Sequence, residues 1–343
     1  MPHQPQVTLI VVPRERFSLT EASLANLYQK TDYPFDLVYI DGNSPPSVRQ
    51  FLEAQAQAKG FHYHRTPHYL SPNRARNLGL SLIDLTKTDY VVFVDNDVLF
   101  QPGWLEALVS CAEETGAWLV GPLCLEGDDF KTLHIVSGSL ASRGQRLVEQ
   151  RPFMHRPLAE VTPNFLERHR TQLLELHTIL IRAEALQALG GFDETLISMG
   201  EETDLCLKVA RQGKAIYAEP KAVMTYVPPF DPQPMDLPFF FVRWSRAWCE
   251  QSQAHFQSVW GVAQDSPNIQ HYGTFVINHR HLAFRKWMGS TWFHRFQRYR
   301  LRFLAWWMNR RATQLALQWQ TAGPHVPMKS LRVTEPTPVT TGH

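Results

Sequence analysis

The chain has 343 residues, 44% of them hydrophobic and 19% charged, enough to bury a substantial core and outside the range of disordered or fibrous proteins. A formal net charge of only +2 makes no demand for a nucleic-acid partner. The four cysteines, Cys111, Cys124, Cys206 and Cys249, are far apart, with no CxxC pair or zinc-like Cys/His spacing, and no run of about 18 apolar residues predicts a transmembrane helix.

The opening "MPHQPQVTLIVVPRE" lacks the basic region and long apolar core of a signal peptide, so a cytoplasmic setting is expected. From Val7 to about Leu123 short apolar runs alternate with helix-like segments, the pattern of an α/β domain with a mostly parallel sheet. The runs 7–12, 35–40, 61–65, 90–94 and 117–121 read as strands. Ser44-Pro45 and Ser71-Pro72 offer N-caps followed by proline, and Ser18 with Glu21 has capping-box spacing. Further on, "LHIVSGSL" and "LLELHTILI" read as strands and "EETDLCLKVARQGK" as an amphipathic helix. Five prolines between 228 and 238 mark a boundary. The expected organisation is a catalytic domain over 1–228, a mainly helical, basic and aromatic region over 229–330, and a loose tail over 331–343.

Right-handed crossovers bring the carboxyl ends of parallel strands to one edge, where ligands of open α/β sheets bind. The polar residues following the strands are Pro13 and Arg14, Asp41 to Asn43, and Asp95, Asn96 and Asp97. If the strand through Val94 continues, Asp95 and Asp97 share a face, and two carboxylates there need a cation or hydrogen-bond donors. Mg²⁺ or Mn²⁺ meets that need with oxygen ligands; a polar turn is the other reading. Asp41 could accept hydrogen bonds from a nucleobase or ribose, or simply form an Asp-Gly turn. Arg76, near a helix start, suits a phosphate. Glu201, Glu202 and Asp204 begin a helix, where carboxylates serve either its dipole or general-base chemistry.

These segments together, from about Val7 to Tyr226, resemble the family 2 glycosyltransferases: the first strand ending in proline, the Asp41 turn, "ARNLGL", "VDND", "GGFDE" and "EETDLCLK" follow one another in that family's order. The resemblance implies a GT-A, Rossmann-like fold, a mostly parallel central sheet flanked by helices, with a C-terminal helical extension. It implies a nucleotide-diphosphate sugar held near Pro13, Arg14, Asp41, Arg76, Asp95 and Asn96. Mn²⁺ or Mg²⁺ would sit on Asp97, assisted by Asp95. Glu202 would be the base of an inverting transfer, with Glu201 in reserve and Asp204 orienting the helix start or the acceptor. Two departures stand out: Glu202 where the family usually has aspartate, and Tyr226 where many relatives have histidine.

Beyond the prolines lie eight of the ten tryptophans, and from Ser266 through Val333 there is no Asp or Glu. The segment 280–311 fits either packed outer helices or a basic aromatic surface lying on the inner face of a membrane, which would suit a glycan or lipid-linked acceptor in surface polysaccharide or glycolipid synthesis. Nucleic acid is not expected, since no recognition motif accompanies the basic residues. Two other functions compete. A nucleotidyltransferase should carry a glycine-rich phosphate loop after its first strand, and "VVPRERFSLTE" has no glycine. A nucleotide-sugar-binding scaffold without turnover would account for the departures at 202 and 226.

Overall fold

The computed structural model describes residues 4–228 and 232–280, with isolated positions 303, 307, 310 and 311. The first half alternates strand and helix: β1 (Val7–Val12), α1 (Thr20–Lys30), β2 (Asp36–Gly42), α2 (Pro46–Lys59), β3 (His62–Thr66), α3 (Pro72–Ser81), β4 (Tyr90–Asp95), β5 (Val98–Phe100) and α4 (Trp104–Thr115). Then come β6 (Leu119–Glu126), β7 (Thr132–Ile135), the hairpin β8 (Ser139–Arg143) and β9 (Arg146–Gln150), β10 (His169–Arg170), β11 (Thr178–Arg182), α5 (Ala183–Leu189), α6 (Glu201–Arg211) and β12 (Ile216–Tyr226). Three helices follow: α7 (Leu237–Arg243), α8 (Arg246–Trp260) and α9 (Pro267–Arg280).

The central sheet has ten strands in the order β10-β12-β6-β11-β4-β1-β2-β3, with β5 on β12 and β7 on β6. Six of them (β1, β2, β3, β4, β6 and β12) run the same way, and β11 is inserted antiparallel between β4 and β6. The mixed α/β, mostly parallel architecture expected from the alternation is therefore present. Every residue of β1 and β4 is buried, as continuous apolar runs are when helices cover both faces of a sheet. On one face α3 lies so close to β1 that a Cβ at Gly79 would collide with Ile10.

Several boundaries differ from the sequence reading. β2 runs on to Gly42, so Asp41 is a strand residue. β4 stops at Asp95, and Asn96 and Asp97 turn into β5, so the two aspartates do not project from one continuous strand. "LHIVSGSL" splits into β7 and β8, and of "LLELHTILI" only Thr178–Arg182 is strand. Leu173 and Leu174 pack against Gly138 and Gly121, while the His177 carbonyl accepts from Asp95 N at 2.9 Å. Ser44 does not cap α2: the helix begins at Pro46, and the Ser44 hydroxyl donates to Asp41 at 2.8 Å. Nor does Ser18 cap α1, which starts at Thr20; its backbone N–H instead donates to Asp236, as does that of Phe17.

That last contact shows how the chain beyond the prolines is used. Phe240, Phe241, Trp244, Trp248 and Val276 share a core with Ile197, and Phe256, Ile269 and Tyr272 share one with Leu147 and Leu196. Helices α7 to α9 thus cover loops at the carboxyl edge of the sheet. Among the described residues no helix is long and apolar enough to cross a membrane. Most of 280–311 lies outside the described residues.

Candidate active site

Parallel pairing of β1 with β4 sets Val12 beside Asp95, so the loop after β1 and the turn after β4 emerge together. Asn96 joins them. Its Oδ1 accepts from Arg14 N at 3.0 Å, and its Nδ2 donates to Arg16 O at 2.8 Å and Thr20 Oγ1 at 3.2 Å. With its carboxamide occupied and 2% of its surface exposed, Asn96 fastens the 13–19 loop. Pro13 also lies at this edge, against Gly42.

The two aspartates flanking Asn96 have opposite surroundings. Asp95 is fully buried and meets three cationic or imidazole groups: Arg76 Nη2 at 3.4 Å, His177 Nδ1 at 3.0 Å and Arg14 Nε at 3.5 Å. Arg76 is itself fully buried and also donates to Leu176 O and Asn73 Oδ1. Asp97 is equally buried, yet neither carboxylate oxygen has a hydrogen-bond partner among the described residues. Burial, reinforced by the nearby Glu15 and Asp95 charges, pushes its carboxyl well above the usual range.

Arg14 carries the link to the other acidic motif. Its guanidinium lies 3.5 Å from Asp95 and 3.7 Å from Glu201, the first residue of α6. Glu201 is clamped by the fully buried Arg243 at 2.8 Å. Glu202 accepts from Arg151 at 3.1 Å, and the same guanidinium binds Glu149 at 3.1 Å and pairs with Glu175. Burial, with the Glu175 and Glu201 charges next, pushes Glu202 up to about 8. Asp204 stands apart: it binds Lys208 at 2.7 Å and Trp260 Nε1 at 2.9 Å, so it ties α6 to α8 instead of joining Glu201 and Glu202.

Asp41 sits in a separate corner. Its oxygens accept from Ser44 N at 2.7 Å, Ser44 Oγ at 2.8 Å and Tyr63 at 2.6 Å, and it pairs with Arg65. A carboxylate so fully occupied organises the β2–β3 corner, and no described contact ties it to Asp95 or Asp97.

Several participants went unread in the sequence. Glu15 is completely buried beneath the Tyr226 hydroxyl, Trp244 Nε1 (2.6 Å) and His279 Nε2 (2.9 Å). Burial alone would raise its carboxyl, but His279 and Arg14 hold it below the ordinary range. Tyr226 therefore turns its hydroxyl to Glu15 and stacks its ring on His177, with centroids 4.3 Å apart. Glu175 and His177 carried a legible signal: two polar groups inside the apolar run "LLELHTILI", the same anomaly as the aspartates after β4. Arg151 and Arg243 carried none, since each lies in a segment with no periodic or motif context.

Residues 8–177 match the family described as Glycosyl transferase family 2. Over 194 residues the chain is 29% identical to the pre-mycofactocin glycosyltransferase of Mycobacterium tuberculosis (strain CDC 1551 / Oshkosh), covering 55% of this chain and 37% of that protein. It is 26% identical over 227 residues to the O-antigen biosynthesis protein RfbC of Myxococcus xanthus, covering 61% of this chain and 16% of that one. The chain thus spans well under half the length of both curated relatives. A crystal structure of GalNAc-T7 with UDP, GalNAc and Mn²⁺ aligns over 80% of this chain and 54% of its own, with a TM-score of 0.52 at 16% identity, a likeness of fold.

Proposed function

The chain belongs to glycosyl transferase family 2 through residues 8–177, and from that premise we propose that it moves a sugar from a nucleotide-diphosphate sugar to an acceptor hydroxyl, with inversion in a single displacement. The observation that carries this reading is Arg14, whose guanidinium spans Asp95 and Glu201 and so holds the Asp95–Asp97 turn and the start of α6 at one place on the sheet edge. A donor and an acceptor must meet between two such acidic groups.

Asp97 fits a hard divalent cation. A fully buried carboxylate with both oxygens unpartnered is costly by itself, and oxygen donors suit Mn²⁺ or Mg²⁺. Such an ion, when bound, supplies Lewis-acid charge opposite the leaving diphosphate. Arg76 and Arg14 add fixed positive charge beside Asp95. Glu202 takes the acceptor proton: a carboxylate raised to about 8 is a stronger base than an ordinary glutamate. Arg151, at 3.1 Å, orients it. Since the base must be ionised, turnover should rise with pH through about 8 and then level off.

A panel of nucleotide-sugars with Mn²⁺, read as hydrolysis or transfer, tests the activity and identifies the donor. Near wild-type rates in both Glu202→Gln and Asp97→Asn would overturn the residue assignments. NMR of the product anomer tests the stereochemistry, and retention would rule out the single displacement. Nucleotide-sugar binding without turnover would instead support the scaffold reading, which Tyr226, committed to Glu15 and not free as a ligand, favours.

The acceptor belongs with surface polysaccharide or glycolipid synthesis, reached by a cytoplasmic enzyme whose 280–311 segment touches the membrane surface. The basic and aromatic composition of that segment supports this placement. Salt-sensitive co-flotation with anionic liposomes is the expected result, and its absence counts against membrane contact.

A further inference from the structure

Beside the proposed donor edge, β7, the loop before β11 and that strand's first neighbour bring three metal-ligating side chains together. His134, Glu175 and His177 each offer one ligand atom within 4.8 Å of the others. The two imidazoles meet edge to face with centroids 5.3 Å apart, and His134 Nε2 lies 3.9 Å from Glu175. We infer that His134, Glu175 and His177 form a binding site for a divalent transition metal of the zinc class, distinct from the Asp97 carboxylate.

Three features of these residues point to a metal in preference to a hydrogen-bonded cluster. First, the His134–Glu175 separation of 3.9 Å is too long for a hydrogen bond and close to the spacing of two ligands around one ion. Second, His134 Nδ1 is buried and has no hydrogen-bond partner among the described residues; the nearest carboxylate, Glu126, stands 3.8 Å away. The ring stands between Glu126 on its Nδ1 side and Glu175 on its Nε2 side with a hydrogen bond to neither, which leaves Nε2 available to an ion. Third, His177 Nδ1 is 3.0 Å from Asp95, an arrangement in which Nδ1–H donates and Nε2 keeps its lone pair. A carboxylate behind a histidine in this way fixes the tautomer and raises ligand basicity, the outer arrangement found around metal-bound histidines.

Two imidazoles and one carboxylate suit Zn²⁺ or Co²⁺ better than Mg²⁺, which prefers oxygen donors. Glu175 is a shared ligand, since its Oε1 also pairs with Arg151. A second set, Glu126, His134 and His155, uses the same His134, but His155 is largely exposed and already bonded to Glu126 at 2.7 Å. The inner set has the more enclosed ligands. Tyr226 covers it on one side, its ring 5.6 Å from His134 as well as stacked on His177.

The test is Co²⁺ titration of the full chain after exhaustive chelation, followed by visible spectroscopy. One equivalent should give the intense bands of a four- or five-coordinate site. These bands should be lost in His134→Gln and His177→Gln, and retained in Asp97→Asn and His155→Gln. Loss in Asp97→Asn with retention in His134→Gln would overturn the inference by moving the ion to Asp97, and loss in His155→Gln with retention in His177→Gln would overturn it in favour of the outer set. X-ray absorption of the Zn²⁺-loaded wild type requires no variant to fold: outer-shell scattering from two imidazoles is expected, and an all-oxygen shell would overturn the site. Because the readout is binding, it is independent of whether the protein transfers sugar.

Discussion

The ends of β2 and β4 place the same residue type in the same kind of position with opposite outcomes. Asp41 is buried and accepts from Ser44, Tyr63 and Arg65, whereas Asp97 is buried and accepts from nothing among the described residues. A carboxylate at a strand's carboxyl end is therefore not informative by burial alone. What distinguishes a binding group from a structural one is whether the protein has already supplied its partners.

The largest expected effect separates these roles by activity. Asp97→Asn should lower donor turnover on the order of 10³-fold, while leaving metal-free thermal stability unchanged or higher, because it removes a buried carboxyl that has no hydrogen-bond partner. A loss of stability comparable to that of an ordinary core polar mutant would place Asp97 with Asp41. Asp41→Asn should do the reverse: Arg65 loses its ion pair, and about 1–3 kcal/mol of stability should go, measured by urea unfolding. Unchanged stability would show that its partners are found in solvent equally well.

Titration sharpens the comparison at Glu202. Its carboxyl is raised in the folded state to about 8, above the ordinary value near 4.5, so its favourable contribution is complete below the unfolded value. That contribution is lost as pH rises through the folded one. Relative to Glu202→Gln, the metal-free wild type should lose stability between about pH 4.5 and 8, on the order of a few kcal/mol. A difference that is flat across that window would mean that Arg151 compensates the charge fully. The smallest effect is expected at Asn96: Asn96→Ala should cost about 1–2 kcal/mol by releasing the 13–19 loop, and should raise the apparent KM for donor more than it lowers kcat. An unchanged melting temperature would argue that the loop is held by Asp236 alone.

How much of this was legible depended on range along the chain. β1 and β4 were readable because parallel strands covered on both faces are continuous apolar runs, and Asp97 stood out because it interrupts that pattern. Asp204 was grouped with Glu201 and Glu202 by adjacency, but α6 turns it toward Trp260 and Lys208 while its neighbours face Arg243 and Arg151. Asp204 lies two residues beyond Glu202, about 200° around the helix, and so faces away from it. The consequence of that offset could not be assigned without knowing what packs on each side. Asn96, flanked by two aspartates, reads in sequence as a donor contact, and what the sequence does not show is that its carboxamide fastens a loop.

The sequence by itself determined the α/β class, the places of the first strands along the chain, and the positions where acidic residues follow those strands, because these follow from local hydrophobic period and from the cost of burying charge. Only the tertiary structure decided which carboxylates are already neutralised. Arg65, Arg151, Arg243 and His177 lie 24 to 82 residues along the chain from Asp41, Glu202, Glu201 and Asp95, the carboxylates they meet, and a partner's identity leaves no mark on the residue it satisfies.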